Sequence, residues 1–338
     1  MKFLVTGGAG YIGVPLIEQL LEKDHQVTCL DRFFFGKEPL SKLEEEPHLR
    51  LIHDDIRWFD PDILRGVDVV IDLAALSNDP SGELNPAKTY DINYLGRVRV
   101  AKLSKEYGVS RYILASTCSV YGFHDKVLTE ESSTNPLTTY AKSAVKAEKD
   151  ILTLGDEKFT VIAPRFATVY GLAPRMRFDL AINAMVLKLQ KTGKISVMRD
   201  GTQWRPFIHV RDVAKAYLLL SEADPEKVNR QIFNVGSNDQ NYQIYPLAKL
   251  LGDAIGNPYE LEWYGDPDKR SYRVNFDKIA ELGFKPDYTP EDAAKEICEA
   301  LETGKVTDGI KSRTVEWYKH LLSVEALLKE IMLRDTVL

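Results

Sequence analysis

Apolar residues fall into short runs along the first half of the chain, and helical patterns separate them. Phe3-Leu4-Val5 comes first, followed by a helix through Leu16-Ile17 and Leu20-Leu21. Val27 to Leu30, Leu51-Ile52, Val67 to Leu73, Tyr112 to Ala115 and Val161 to Ala163 continue the series. Runs of this length, bounded by helices, predict buried parallel strands joined by crossovers. The fold class is therefore α/β: a Rossmann-type, doubly wound parallel sheet. After Gly171 the alternation fades and Pro and Gly scatter, which predicts a smaller α/β lobe for substrate. Gln231 to Gly236 reads as one more strand of the sheet. The expected division is residues 1–170 plus 207–236 for the sheet domain, and 171–206 plus 237–338 for the second lobe. Glu44-Glu45-Glu46 reads as a solvated loop or helix end.

Composition narrows the classes. The 338 residues are 44% hydrophobic and 28% charged, an ordinary globular balance long enough for two lobes. The net charge of −6 argues against a nucleic-acid partner, because such binding depends on neutralising phosphates. The three cysteines, Cys29, Cys118 and Cys298, are widely spaced. They suggest neither a disulfide framework nor a metal site, so a cytoplasmic location is expected. No apolar run approaches the ~18 residues that span a bilayer, so no membrane association is expected. A strand opening at Lys2 leaves no room for a signal peptide.

The first strand runs into Gly7-Gly8-Ala9-Gly10-Tyr11-Ile12-Gly13 and then a helix. The spacing Gly7, Gly10, Gly13 in a strand–turn–helix context is a dinucleotide fingerprint. Gly7 permits the turn, Gly10 admits a pyrophosphate, and Gly13 lets helix and strand approach. The helix N-terminus, at Tyr11 and Ile12, offers N–H groups to phosphates. Asp31 closes the second strand, where an acid accepts ribose hydroxyls and repels a 2′-phosphate; the expected cofactor is NAD. Arg32 follows and softens that preference. Asp55 and Ile56 are placed beside the adenine, and Leu73, Ala74 and Ala75 along the cofactor's diphosphate and ribose.

With these residues in place, the chain resembles the extended short-chain dehydrogenases that act on nucleotide sugars, the epimerases and 4,6-dehydratases. The resemblance rests on Gly7 to Gly13, Asp55-Ile56-Arg57, Leu73-Ala74-Ala75, Asn93, Ser116 to Gly122, Tyr140, Arg165, Val169-Tyr170-Gly171, Arg205 and Asp212. It implies Tyr140 as base and Thr117 as the hydroxyl that orients the substrate. Asn93 and Tyr140 stand near the cofactor. Thr117, Cys118, Ser119, Thr168, Arg175, Arg177, Asn183, Arg205, Asp268 and Arg270 are implied around a nucleotide-diphosphate sugar. Arg175 and Arg177 are equally readable as surface ion pairs, and His209 as a structural histidine. A cytoplasmic homodimer active in carbohydrate biosynthesis is implied as well.

The sequence departs from the family at one point. The family writes Tyr-x-x-x-Lys, with a lysine that lowers the tyrosine pKa from ~10. Here Tyr140 is followed at that spacing by Ala144. Lys142 and Lys146 point to the opposite side of the helix, since only position 144 returns to within roughly 40° of Tyr140. Relatives that dehydrate carry Asp-Glu after the orienting Thr, whereas this chain has Cys118-Ser119. The expected function is thus an epimerase working through oxidation at C4. The alternatives are a C4 dehydrogenase that releases a keto sugar, and a cofactor-binding homologue of low activity.

Overall fold

The computed structural model describes residues 1–266 and 271–332. In chain order its main elements are β1 (Lys2–Thr6), α1 (Gly13–Glu22), β2 (Gln26–Asp31), β3 (Leu49–His53), β4 (Val69–Asp72), α2 (Arg97–Glu106), β5 (Arg111–Leu114), α3 (Thr139–Leu152) and β6 (Thr160–Phe166). They continue with α4 (Ala181–Thr192), α5 (Val210–Glu222), β7 (Gln231–Val235), α6 (Ile244–Ile255), α7 (Pro290–Glu302) and α8 (Thr314–Ile331). The large sheet runs β7-β6-β5-β4-β1-β2-β3, and every pairing along it is parallel. Strand order reverses between β1 and β4, which opens a crevice at their carboxyl ends.

β4, β5 and β6 are buried throughout because helices cover both faces of the sheet. Along β1 the pleat sends Phe3 and Val5 into one core and Leu4 into the other. Ile17 and Leu20 of α1 meet Val213 and Tyr217 of α5 in the first core. Val100 and Ala101 of α2 meet Ala147 and Ile151 of α3 in the second.

A third core joins Ile182, Val186 and Leu189 of α4 to Leu247 and Leu251 of α6 and Ile297 of α7. Its strands are short. Lys194–Met198 pairs with Glu260–Tyr264, and Trp204–His209 lies between Thr168–Tyr170 and Asn241–Gln243. The strand Trp204–His209 runs unbroken across the expected boundary at 206, and Phe207 packs in this third core. Glu44, Glu45 and Glu46 are exposed after a short 3-10 turn. Among the described residues no helix is long and apolar enough to cross a membrane, and no three His, Cys, Asp or Glu side chains are grouped to hold a metal.

Candidate active site

A cleft of about 700 Å³ opens at the carboxyl ends of β1 and β4 and continues under the second lobe. Gly7 sits at φ +68°, and a Cβ there would stand 2.8 Å from the Ala74 nitrogen. A Cβ on Gly13 would fall 2.5 Å from the Gly8 carbonyl oxygen, so Gly13 closes α1 onto the turn itself rather than onto the strand. A Cβ on Gly10 would meet only the Gly7 oxygen, at 3.0 Å, and would otherwise project into the cradle. No side chain caps α1, and Tyr11, Ile12 and Gly13 line the cleft, so the helix's amide end faces the space a pyrophosphate needs. The residues fit a dinucleotide.

Asp31 lines the same end. Its carboxylate accepts from the Ala9 nitrogen at 3.0 Å and the Phe33 nitrogen at 2.7 Å. Burial raises its pKa above the ordinary carboxylate value, and those backbone bonds oppose the rise. Arg32 donates to Asp55 at 2.9 Å, so its charge is directed away from Asp31. Arg57 also holds Asp55, through Nε and Nη2. Burial disfavours the Asp55 carboxylate, but these bonds prevail and keep its pKa below the usual range. Ile56, Leu73, Ala74 and Ala75 line the cleft. Asn93 does not: it is 2% exposed and its amide clasps Leu76, accepting from the backbone nitrogen at 2.8 Å and donating to the carbonyl at 3.2 Å.

Tyr140 enters the cleft from the first turn of α3, whose N-cap is Thr138. Thr138 also donates to Asp79 at 2.6 Å, tying α3 to the loop after β4. Thr117 lines the same cleft, near enough to act on the Tyr140 phenol. Burial, then the Asp79 charge, raises the phenol's pKa; Thr117 and the charges of Arg97 and Arg177 oppose the rise. Ala144 is packed in the core, Lys142 is exposed, and Lys146 lies over the Tyr94 ring at 5.2 Å. None of the three lines the cleft. Ser119 does. Cys118 does not. It is 1% exposed, its Sγ turns to the Arg165 carbonyl, and burial pushes its thiol pKa up.

From the second lobe, Thr168, Arg175, Arg177 and Arg205 line the cleft. Arg205 donates to the Trp204 carbonyl at 2.7 Å and lies over Tyr272. Arg177 is buried rather than a surface ion pair. It grips Asp179 through Nε and Nη2 and the Ser77 carbonyl through Nη1. Arg175 stacks over Phe35, and its charge is felt at Asp31 as well as beside Arg177 and Asp179. Asn183 is fully buried and holds Tyr11, Gly171 and the Arg177 carbonyl together without reaching the cleft. Asp268 and Arg270 lie outside the described residues. His209 is satisfied between Glu296 and the Arg211 nitrogen.

Several cleft residues escape the sequence reading: Phe34, Phe35, Asp79, Asp179 and Tyr318. Phe33-Phe34-Phe35 after Asp31, and Asn78-Asp79-Pro80 as a helix start, are visible signals. Nothing in the sequence brings Tyr318 back to Asp31.

Residues 3–236 match the model of the NAD dependent epimerase/dehydratase family. The chain belongs to that family. The family relies on NAD, and this NAD-dependent epimerase/dehydratase-type chain carries the matching turn. Relatives include an uncharacterized UDP-glucose epimerase of Bacillus subtilis, YtcB, 32% identical over 277 residues that cover 78% of this chain and 85% of YtcB. A UDP-glucose 4-epimerase of Corynebacterium glutamicum is 28% identical over 311 residues, covering 86% of this chain and 92% of the relative. Among solved structures, MoeE5 in complex with UDP-glucuronic acid and NAD superposes with a TM-score of 0.75 at 26% identity, covering 95% of this chain and all of MoeE5.

Proposed function

We propose that the protein is an epimerase that inverts C4 of a nucleoside-diphosphate hexose through transient oxidation. The observation that carries this reading is the Thr117–Tyr140 pair at the floor of a cleft that runs from the glycine turn to Arg205. Residues 1–170 plus 207–236 supply the glycine turn and Asp31 for the cofactor in this reading, and the second lobe supplies most of the contacts to the sugar nucleotide. Arg205 suits a diphosphate because a guanidinium bonds two oxygens at once. The family names UDP-sugars repeatedly, which favours a UDP-hexose.

Thr117 orients the C4 hydroxyl, and Tyr140 removes its proton as the C4–H bond breaks. Bound NAD would supply the acceptor for the C4 hydride and the donor for its return. If the 4-keto sugar presents its other face, Tyr140 gives the proton back to the C4 oxygen and the product is the epimer. Elimination would need an acid beside Thr117. Cys118 is turned into the core and Ser119 carries only an alcohol, so neither neighbour supplies one. Three buried, unpaired cysteines fit a reducing compartment, and a cytoplasmic homodimer belongs to the same reading.

Ala144 favours a second reading. Without a cation there the nicotinamide ribose loses a partner, and the keto sugar and NADH have time to leave separately. Incubation with UDP-, GDP-, dTDP- and CDP-hexoses, followed by NMR and NADH absorbance, separates the cases. An epimer without net NADH is expected. Stoichiometric NADH with a 4-keto sugar would establish the dehydrogenase instead, and a 4-keto-6-deoxy sugar would refute both.

A further inference from the structure

The Asp31 end of the cleft is walled by side chains that belong neither to the glycine turn nor to the sheet. Helix α8 reaches back across the chain to the segment after β2. Trp317 Nε1 donates to the Phe34 carbonyl at 2.6 Å, and Lys311, just before the helix, bridges to Glu38 at 3.4 Å. Tyr318 meets the Phe34 ring edge-on at 6.1 Å and leans on Phe35 at 5.5 Å. Arg175, from the loop after Gly171, lies 3.6 Å over the Phe35 ring and donates Nη2 to Thr314 Oγ1 at 2.9 Å. Asp31, Phe34, Phe35, Arg175 and Tyr318 all face the cleft.

Arg175 is 6% exposed, and its Nε is buried with no partner among the described residues. An unsatisfied buried donor carries its full desolvation cost, and a ligand oxygen removes that cost. Burial, then repulsion by Arg177, lowers the Arg175 pKa to about 10, so it remains a cation at neutral pH. Its charge is felt at Asp31, the carboxylate suited to ribose hydroxyls. A ribose there has an acceptor on one side and an unspent donor on the other, and aromatic rings cover it.

We propose that Arg175 and Tyr318 form a clamp on the adenosine ribose of NAD. Arg175 Nε donates to a ribose hydroxyl oxygen, and α8 acts as the latch that keeps both residues in place. The clamp rests on NAD as cofactor and not on which sugar reaction follows. Its test therefore uses NAD alone, and a wrong reading of the sugar chemistry leaves it untouched.

The experiment measures NAD affinity and dissociation rate by calorimetry and stopped-flow fluorescence on the full chain freed of nucleotide. Wild type, Arg175→Met and Tyr318→Leu are compared, each with NAD and with an analogue lacking one adenosine-ribose hydroxyl. Arg175→Met is expected to bind NAD at least about tenfold more weakly, as for the loss of a hydrogen bond to a charged group, and Tyr318→Leu to bind it more weakly through loss of the aromatic wall; both are expected to release it faster. Removing the hydroxyl oxygen bonded by Arg175 is expected to cost wild type much more than it costs Arg175→Met. Tyr318→Leu, which leaves the Arg175 guanidinium in place, keeps the test open should Arg175→Met fail to fold. An unchanged NAD affinity in either folded variant overturns the clamp. So does an equal penalty, in wild type and Arg175→Met, for the loss of either hydroxyl.

Discussion

At the scale of single residues, the informative position is Ala144, because it removes the cation that the family sets beside its tyrosine. Two guanidinium groups act on Tyr140 in its place, Arg97 and Arg177, but each is committed to a carboxylate, Asp72 and Asp179. Burial and Asp79 prevail over them, and the phenol stays above its ordinary value. A tyrosine base works as the phenolate, so its active fraction grows as pH rises toward that raised pKa. C4 oxidation is therefore expected to accelerate from neutral to alkaline pH. Ala144→Lys brings an ammonium onto the Tyr140 side of α3, and its long stem can leave the core to reach the cleft. An opposite charge at such range lowers a pKa by about 1–3 units. The rate profile of this variant is expected to move down by at least about one pH unit, with a gain at neutral pH. Identical profiles for the two proteins would show that the Arg pair already does the lysine's task. The departure at 144 is visible in the sequence, as are Thr117 and Tyr140. The Asp79 and Arg177 environment is not, because it depends on a loop after β4 and a loop after β6 meeting above α3.

At the scale of elements, α3 is held to β6 by a buried ion pair. Arg165 gives Glu148 two bonds, Nε to Oε1 at 2.9 Å and Nη2 to Oε2 at 2.7 Å, and both side chains are 4% exposed. Ser116, beside Thr117, also donates to Glu148, and Arg165 Nη1 reaches the Tyr121 hydroxyl at 3.0 Å. The pair thus fixes the register of the helix that carries Tyr140 against the strand end that carries Thr117. Breaking one partner of a buried pair strands the other charge, at a cost of about 3–5 kcal/mol. Glu148→Gln is expected to destabilise the protein by that amount in urea unfolding. A change below about 1 kcal/mol would mean that water or Tyr121 satisfies Arg165 unaided. The sequence shows Arg165 among the motif residues, but not that Glu148 is its partner, since that contact joins two elements and not two neighbours in sequence.

At the scale of the whole molecule, legibility follows the range of the contacts. The sheet could be read from the sequence because each strand is a short apolar run whose period-2 pattern or full burial shows in a few residues. The second lobe was readable only as a region. Its strands pair across long separations, Lys194–Met198 with Glu260–Tyr264 and Trp204–His209 with Asn241–Gln243, and its core comes from three helices far apart in the chain. The contacts of Arg175 with Phe35 and Thr314 were illegible for the same reason, since both partners lie far from it in sequence. The excursion of residues 167–230 between β6 and β7 also bears on the order of events during refolding. Joining β1 to β2 closes only residues 7–25, and the longer closure costs about 1 kcal/mol more in chain entropy. The centre of the sheet should therefore assemble while β7 is still unattached at the edge. Pulse-labelled hydrogen exchange during refolding should find the amides of β1 and β2 protected before those of Ile232 and Phe233. Simultaneous protection would mean that the excursion is already compact before it docks. With β1 and β2 protected first, the sheet edge is the slow step, leaving β6 a transient open edge, able to pair with a neighbouring chain at high concentration.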